Sequence, residues 1–162
     1  MQYQPVLHVV LHQPAIPPNT GNIGRTCVAA AAKLWLVKPL GFDVGEKARR
    51  RAGLDYWEHL EWEVVDDWPA LSQQLAAPLQ AGRAWFFSKK ARRLHTEVSY
   101  RAGDVLVFGS ETTGLPDDLL EQYADNTVRI PMREQVRSLN LAVAAGIAVY
   151  EALRQFAPPS LS

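Results

Sequence analysis

The stretch VLVFGSETTGLP, residues 105–116, contains the transition on which the fold prediction rests. Its first four residues are apolar, as in a strand that is covered on both faces of a sheet. Glycine-bounded turn residues follow, and Pro116 stands where proline commonly opens a helix. Ligands of α/β proteins bind where strands end and helices begin, so we expect a site around Glu111. From the residues alone, this carboxylate can orient a substrate or hold the backbone amides of a partner, and the alternative is an ordinary turn carboxylate.

Strand and helix patterns alternate through the rest of the chain. Apolar strand patterns occupy residues 6–11, 34–37, 62–65, 84–87, 105–108 and 127–130. Helical patterns occupy 46–54, 68–79, 116–123 and 139–156, and an earlier helix begins near Asn19 or Thr20, either of which can cap it. This alternation predicts an α/β fold with a mostly parallel sheet flanked by helices. We expect a single domain at residues 1–157 and a C-terminal tail at 158–162.

Charge is balanced overall and concentrated locally. The chain has 17 Lys and Arg residues against 17 Asp and Glu residues, so net charge gives no argument for a polyanionic partner. Basic residues cluster at 47–51 and at 89–93. Each cluster either contacts phosphates or forms a solvated surface, and the sequence leaves both alternatives open.

The cysteine and hydropathy patterns predict a cytoplasmic protein. Cys27 is the single cysteine, which excludes a disulfide within the chain and fits a reducing compartment. Its place among helically spaced apolar residues predicts a small core side chain. The longest apolar stretch, residues 141–150, is about half the roughly 20 residues of a membrane-spanning helix, so we expect no membrane association.

Several common catalytic and binding motifs are missing from the sequence. It has neither the glycine-lysine loop that holds nucleotide phosphates nor the Gly-x-Ser-x-Gly turn of many hydrolases. Its four histidines lack the spacing of a ligand set, so we expect no metal site.

The first predicted helix carries one candidate group of polar residues. Asn22 and Arg25 are three residues apart and therefore share a helix face, where a guanidinium can engage a phosphate or a ribose. Asn19 lies at the mouth of this helix. The alternative is that Asn19 is a cap and Arg25 a surface charge.

The last predicted helix carries a second group. Ser138 and Asn140 stand at its start, where their side chains can cap it or reach a ligand. The apolar residues around them would form a wall suited to a flat ring or a thioether: Ile130, Pro131, Met132 and Leu139.

Three ordered blocks of the chain resemble the signature motifs of the SPOUT RNA methyltransferases. They are NTGNIGR at residues 19–25, GSETTGLP at 109–116, and IPM at 130–132 with SLNL at 138–141. A further block, RRAGLDY at 50–56, is similar to the branch that 2'-O-methylates the wobble nucleotide of tRNA, position 34. The resemblance extends over about residues 6–156.

This resemblance implies an enzyme that uses S-adenosyl-L-methionine to methylate a cytidine or modified uridine in the anticodon stem-loop of tRNA. It also implies a C-terminal trefoil knot, which is otherwise very rare in proteins, and a homodimer with Tyr150 at the interface. The cofactor pocket would be lined by Phe87, Gly109, Ile130, Ser138 and Leu139. Asn19 and Arg25 would act at the ribose and phosphate, with Glu111 and Asn140 supporting the catalytic site.

Three alternatives stand beside this interpretation. The chain could be a non-catalytic RNA-binding dimer that uses its basic clusters, or a 2'-O-methyltransferase of another RNA such as rRNA. A third reading, from Glu111 and the glycine turns alone, is an α/β enzyme that acts on a small nucleotide.

Overall fold

The computed structural model describes residues 4–51, 54–156 and 161, with the side chains of residues 49–51 excluded. The predicted tail therefore lies outside the described residues except for Leu161, which packs against the core. Ala52 and Gly53 of the RRAGLDY block also lie outside the described residues, and of the three arginines at 49–51 only the backbone is described. Among the residues that the structure describes, no helix has both the length and the apolar character that a membrane crossing requires.

Seven parallel strands form one sheet, in the order β3-β2-β1-β6-β4-β7-β5. The strands are β1 His8–His12, β2 Lys33–Val37, β3 Trp62–Val65, β4 Ala84–Phe87, β5 Arg93–Leu94, β6 Val105–Phe108 and β7 Thr127–Arg129. The helices are α1 Pro17–Ala30, α2 Glu46–Arg51, α3 Trp68–Gln74, α4 Ala76–Gln80, α5 Asp117–Gln122 and α6 Leu141–Phe156. The predicted α/β fold with a mostly parallel sheet is confirmed.

Both faces of the sheet are buried, which explains why β4 and β6 are apolar at every position. Val9 and Leu11 of β1 point to the face that α1 and α6 cover, and Val10 between them points to the face that α3 and α5 cover. Cys27 of α1 is fully buried, and burial raises the pKa of its thiol to about 12. The predicted core role of this cysteine is confirmed.

The first helix begins earlier than the sequence predicts. Pro17 is its first residue, Ile16 precedes it, and neither Asn19 nor Thr20 is a cap. Proline lacks an N–H and has φ fixed near the helical value, so Pro17 and Pro18 fit the first turn, where amides have no intrahelical partner. The prediction of Asn19 or Thr20 as N-cap was therefore wrong, and both residues are buried within the helix.

Two other helices differ from the prediction at their ends. The pattern at 68–79 is divided into α3 and α4, because Pro78 cannot donate to the carbonyl of Gln74 four residues earlier. Asp67 caps α3, because its carboxylate accepts a hydrogen bond from the amide of Ala70. The pattern at 46–54 ends as α2 at Arg51, and a 3₁₀ turn at Asp55–His59 follows.

Candidate active site

A cavity of about 650 Å³ opens where β4, β6 and β7 end. Phe87 and Phe108 are the last residues of β4 and β6, and their rings stack with centroids 4.6 Å apart. Ile130 follows β7. All five residues predicted to hold the cofactor line this cavity: Phe87, Gly109, Ile130, Ser138 and Leu139. Asn19, Glu111 and Asn140 line it as well, so three motifs that are distant in sequence meet at one edge of the sheet.

Glu111 holds the start of α1 over this cavity. Its Oε2 atom accepts hydrogen bonds from the amides of Ala15 and Ile16, both at 2.9 Å. A carboxylate at a helix N-terminus also interacts favourably with the helix dipole. Glu111 therefore binds backbone amides, but these belong to a loop 95 residues away in the same chain and not to a partner.

Asn140 performs two tasks at the start of α6. Its Oδ1 atom accepts from the amides of Ala142 and Val143, at 2.8 and 3.2 Å, and so caps the helix. Its Nδ2 atom donates to Oδ1 of Asn19, at 3.0 Å. Because Asn140 is the cap, α6 begins at Leu141 rather than at Leu139 as predicted.

Gly109 permits a close approach of two backbone segments beside the cavity. A Cβ atom at this position would lie 2.1 Å from the carbonyl carbon of Gly114 and 2.2 Å from the amide of Leu115. Only glycine permits this approach of two backbone segments. Residues of the GSETTGLP turn line one side of the cavity, while half-buried Ile130, Met132 and Leu139 supply its apolar side.

Arg25 lies apart from the other predicted site residues. It lines a second cavity, together with Asn22, and its guanidinium lies 4.8 Å from the ring centroid of Tyr56. Asn22 and Arg25 therefore share a face as predicted. Asn19 is six residues before Arg25, about 120° away around an α-helix, and it faces the first cavity instead. Within one chain the structure does not bring Arg25 to the groups it was predicted to accompany.

Three basic residues outside the motif blocks lie at the rim of the first cavity. Lys89, Lys90 and Arg137 all line it. Lys90 pairs with the exposed carboxylate of Asp117 at 2.8 Å. Lys89 and Lys90 come two and three residues after the end of β4. Their position just after a predicted strand is the sequence feature that could have indicated a place at the site. Within the described part of the chain, no group of three or more metal-ligating side chains occurs.

The model of the SpoU rRNA Methylase family matches residues 6–150 of this chain. A tRNA (cytidine(34)-2'-O)-methyltransferase from Saccharophagus degradans is 47% identical over 151 residues, which are 93% of this chain and 96% of the relative. A counterpart of the same name from Yersinia pestis is 44% identical over 95% of this chain and 96% of its own length.

Solved structures agree with the sequence comparison. A structure described as giving insights into the 2-OH methylation of C/U34 on tRNA is 44% identical, with a TM-score of 0.84 over 92% of this chain and 95% of the other. A SpoU methyltransferase from Streptomyces viridochromogenes, solved in complex with the cofactor AdoMet, has a TM-score of 0.80 at 26% identity, over 96% of this chain and 59% of the other. The resemblance seen in the three motifs is confirmed, and this chain belongs to the SpoU rRNA methylase family.

Proposed function

We propose that this protein transfers a methyl group from S-adenosyl-L-methionine to the ribose 2'-hydroxyl of the wobble nucleotide, position 34, in the anticodon stem-loop of tRNA. The observation that carries the proposal is the meeting of three distant motifs around one cavity at the strand ends. The choice of tRNA and of position 34 is supported by the names of relatives that are 44–47% identical over more than nine-tenths of the chain.

The first cavity suits the proposed cofactor in size and chemistry. Its volume of about 650 Å³ lies within the range of small-molecule sites. The apolar side formed by Ile130, Met132 and Leu139 suits an adenine ring, and polar groups of the turn that lines the cavity can hydrogen-bond to its edge. When bound, the cofactor supplies a methyl group on a positively charged sulfur, which is the electrophile of the reaction.

The polar residues around this cavity serve to fix geometry. Methyl transfer requires the acceptor oxygen in line with the bond that breaks, so positioning contributes much of the rate. Glu111 binds the start of α1 next to the cavity, and Asn140 joins Asn19 of α1 to the start of α6. In our proposal Asn19 and Arg25 contact the ribose and its phosphate. The Arg25 guanidinium would stabilise the 2'-oxygen as it bonds to the methyl carbon, while the carbon–sulfur bond breaks to leave a neutral thioether and the hydroxyl proton passes to water.

Arg25 can fill this role only if a second copy of the chain brings it there, because it faces away from the cavity of its own chain. The exposed face of α6 supports such a dimer. Val143, Ile147 and Tyr150 are 52%, 38% and 53% exposed and recur at the spacing of one helix face. Since α1 packs against α6, Arg25 lies on the helix next to this apolar surface. We therefore propose a homodimer in which the partner's Arg25 completes each site.

Basic residues around the cavity support an RNA substrate. Lys89, Lys90 and Arg137 lie at its rim, where side chains of this charge can contact the phosphates of a bound loop. Since tRNA is the proposed substrate, we propose that the protein acts in the cytoplasm. The C-terminal trefoil knot also remains a proposal, supported by membership of the family.

The experiment that tests the function offers the protein a choice of RNAs. Purified protein, S-adenosyl-L-methionine labelled in its methyl group and unmodified total RNA are incubated, and tRNA and rRNA are then separated. We expect label in tRNA, in a 2'-O-methylated nucleoside. Label in rRNA alone would favour the substrate named by the family description, and absence of label despite RNA binding would favour the non-catalytic dimer.

A further inference from the structure

The second cavity, of about 600 Å³, is not used by the cofactor proposal. It lies on the face of α1 opposite to the first cavity, between this helix and the segment that leads through α2 to the 3₁₀ turn at Asp55–His59. Pro17 and Gly21 of α1 form one wall, and Phe42, Leu54 and Tyr56 form the other. The first turns of α1 therefore separate two cavities of similar size.

The walls of the second cavity are suited to a flat ring. Phe42, Leu54 and Tyr56 are only half-buried, so the apolar surface they offer is accessible. Tyr56 is held in place because its hydroxyl donates to the carbonyl of Gly21. Aromatic side chains fixed in this way are the usual platforms on which nucleobases stack.

Two buried polar atoms adjoin this cavity without hydrogen-bond partners among the described residues. They are the Oγ1 atom of Thr20 and the Nε1 atom of Trp57, and both residues line the cavity. Their side chains are 2% and 4% exposed. A buried donor without a partner is costly. Because both atoms lie below the accessible surface, a ring that carries nitrogen and carbonyl acceptors would satisfy them only after a small shift of the cavity wall.

The charge at the mouth of the cavity favours a phosphate-linked ligand. The exposed guanidinium of Arg25 lies over Tyr56 at the edge of the cavity. Ala48, which lines the cavity, belongs to α2, whose sequence EKARRR contains one acidic and four basic residues. Asp43 is the carboxylate among the lining residues, and it already accepts a hydrogen bond from the amide of Gly45.

We propose that the second cavity binds the base of a nucleotide that flanks the methylated one in the substrate RNA. Tyr56 and Phe42 hold the base by stacking, and Arg25 contacts the adjoining phosphate. This inference rests on the proposed function, because it assumes an RNA substrate. It adds that the RNA is bound at two sites: the first cavity of one copy holds the reacting ribose, and the second cavity of the copy that supplies Arg25 holds a neighbouring base.

The test combines the removal of single bases from the RNA with a substitution in the wall of the second cavity. The RNA probe is a 17-nucleotide anticodon stem-loop, and seven further versions each carry one abasic residue in the loop. Their affinities for the full-length protein are measured by fluorescence anisotropy without cofactor. The cavity variant is Leu54→Ala. Leu79→Ala is the matched control, because Leu79 is equally half-buried but packs on the other face of the sheet.

We expect one loop position at which removal of the base weakens binding to the wild-type protein about tenfold. The same removal should cost less than about twofold in Leu54→Ala and again about tenfold in Leu79→Ala. Equal losses of affinity at every loop position in all three proteins would overturn the inference. A shift of Leu54→Ala from dimer to monomer would also overturn it, because the cavity would then bind the second copy of the chain. The proposed function is judged separately, because position 34 would still be methylated if only the base site were wrong.

Discussion

The side-chain amide of Asn140 donates a hydrogen bond to the side-chain oxygen of Asn19 at 3.0 Å, across 121 residues of sequence. Asn19 is 7% exposed, so its oxygen has little access to water as an alternative partner. The same Asn140 caps α6 through its own oxygen. One side chain therefore sets the start of the last helix and joins it to the first.

Substitution of Asn140 separates these two tasks. Asn140→Ala removes the cap and leaves the Asn19 oxygen unpaired, so we expect a loss of about 2–3 kcal/mol in the free energy of unfolding. Asn140→Asp keeps one side-chain oxygen for the cap but places its second oxygen against the oxygen of Asn19. The stability that this variant loses therefore measures the link between the two helices. Urea unfolding measures both. A loss in Asn140→Ala no larger than that of an exposed alanine substitution would contradict this role.

Glu111→Gln tests whether the negative charge holds the start of α1. The glutamine oxygen can still accept from Ala15 and Ile16, but the hydrogen bonds lose their charge assistance. We expect a loss of about 1–2 kcal/mol in stability and weaker binding of S-adenosyl-L-methionine by titration calorimetry. Glu121→Gln, an exposed position in α5, is the control. Unchanged cofactor affinity in Glu111→Gln would show that the cavity does not depend on this carboxylate.

The proposed dimeric site can be tested with two variants that are inactive for different reasons. Arg25→Ala should abolish methylation and leave cofactor affinity nearly unchanged, because Arg25 lies outside the first cavity. Ser138→Trp should abolish cofactor binding, because an indole at this position fills the cavity that Ser138 lines.

A heterodimer of these two variants then has one complete site, if Arg25 acts across the interface. Co-expression with two different affinity tags isolates it, and we expect about half the wild-type rate. If Arg25 acted within its own chain, neither site would be complete and the heterodimer would be inactive.

We propose the exposed apolar face of α6 as the dimer interface, and a charged substitution on this face tests the proposal. Ile147→Asp places a charge among Val143, Ile147 and Tyr150 and should convert the dimer to a monomer, observed by size-exclusion chromatography with light scattering. Ala77→Asp, on the exposed side of α4, should leave the dimer intact. A dimer that persists in Ile147→Asp would exclude this face as the interface.

His8 predicts a pH dependence of stability. Its Nδ1 atom accepts a hydrogen bond from the indole of Trp35 at 3.1 Å. Burial, and secondarily the charge of Lys33, lowers the pKa of His8 from 6.5 to about 4. The unfolded chain therefore binds this proton more readily than the folded one, and stability decreases as pH falls from 6.5 towards 4.

The size of this effect is measured by urea unfolding at about pH 7 and pH 5. We expect His8 to account for a loss of about 1–2 kcal/mol over this range. His8→Gln retains an acceptor for Trp35 but does not titrate, so its stability should change less between the two pH values. An identical pH dependence in both proteins would assign the effect to other groups.

The strands were the most predictable part of the fold, because a strand buried on both faces is a short continuous apolar run. β4 and β6 begin and end where the sequence predicts. β5 was missed, since its two residues, Arg93 and Leu94, form an edge strand whose pairing depends on β7 and not on an apolar pattern.

The first residues of the helices were less predictable from the sequence. So was the separation of Asn19 and Arg25 into two different cavities. Asn19 has the side chain of a cap, but the two prolines before it begin the helix earlier and carry it into the interior. The resemblance placed Asn19 and Arg25 together, although their separation on a helix already directs them to different faces. Which face of α1 lines which cavity depends on how α6 and the segment before Tyr56 pack against this helix. A local sequence pattern does not contain this tertiary information.

The most direct measurement of the central claim compares two tRNAs that differ by one oxygen atom. Both are offered with S-adenosyl-L-methionine to the purified protein, and one has a 2'-deoxynucleotide at position 34. We expect the ribose form to gain one methyl group by mass spectrometry and the deoxy form to gain none. Equal methylation of the two tRNAs, or methylation of neither, would contradict the account.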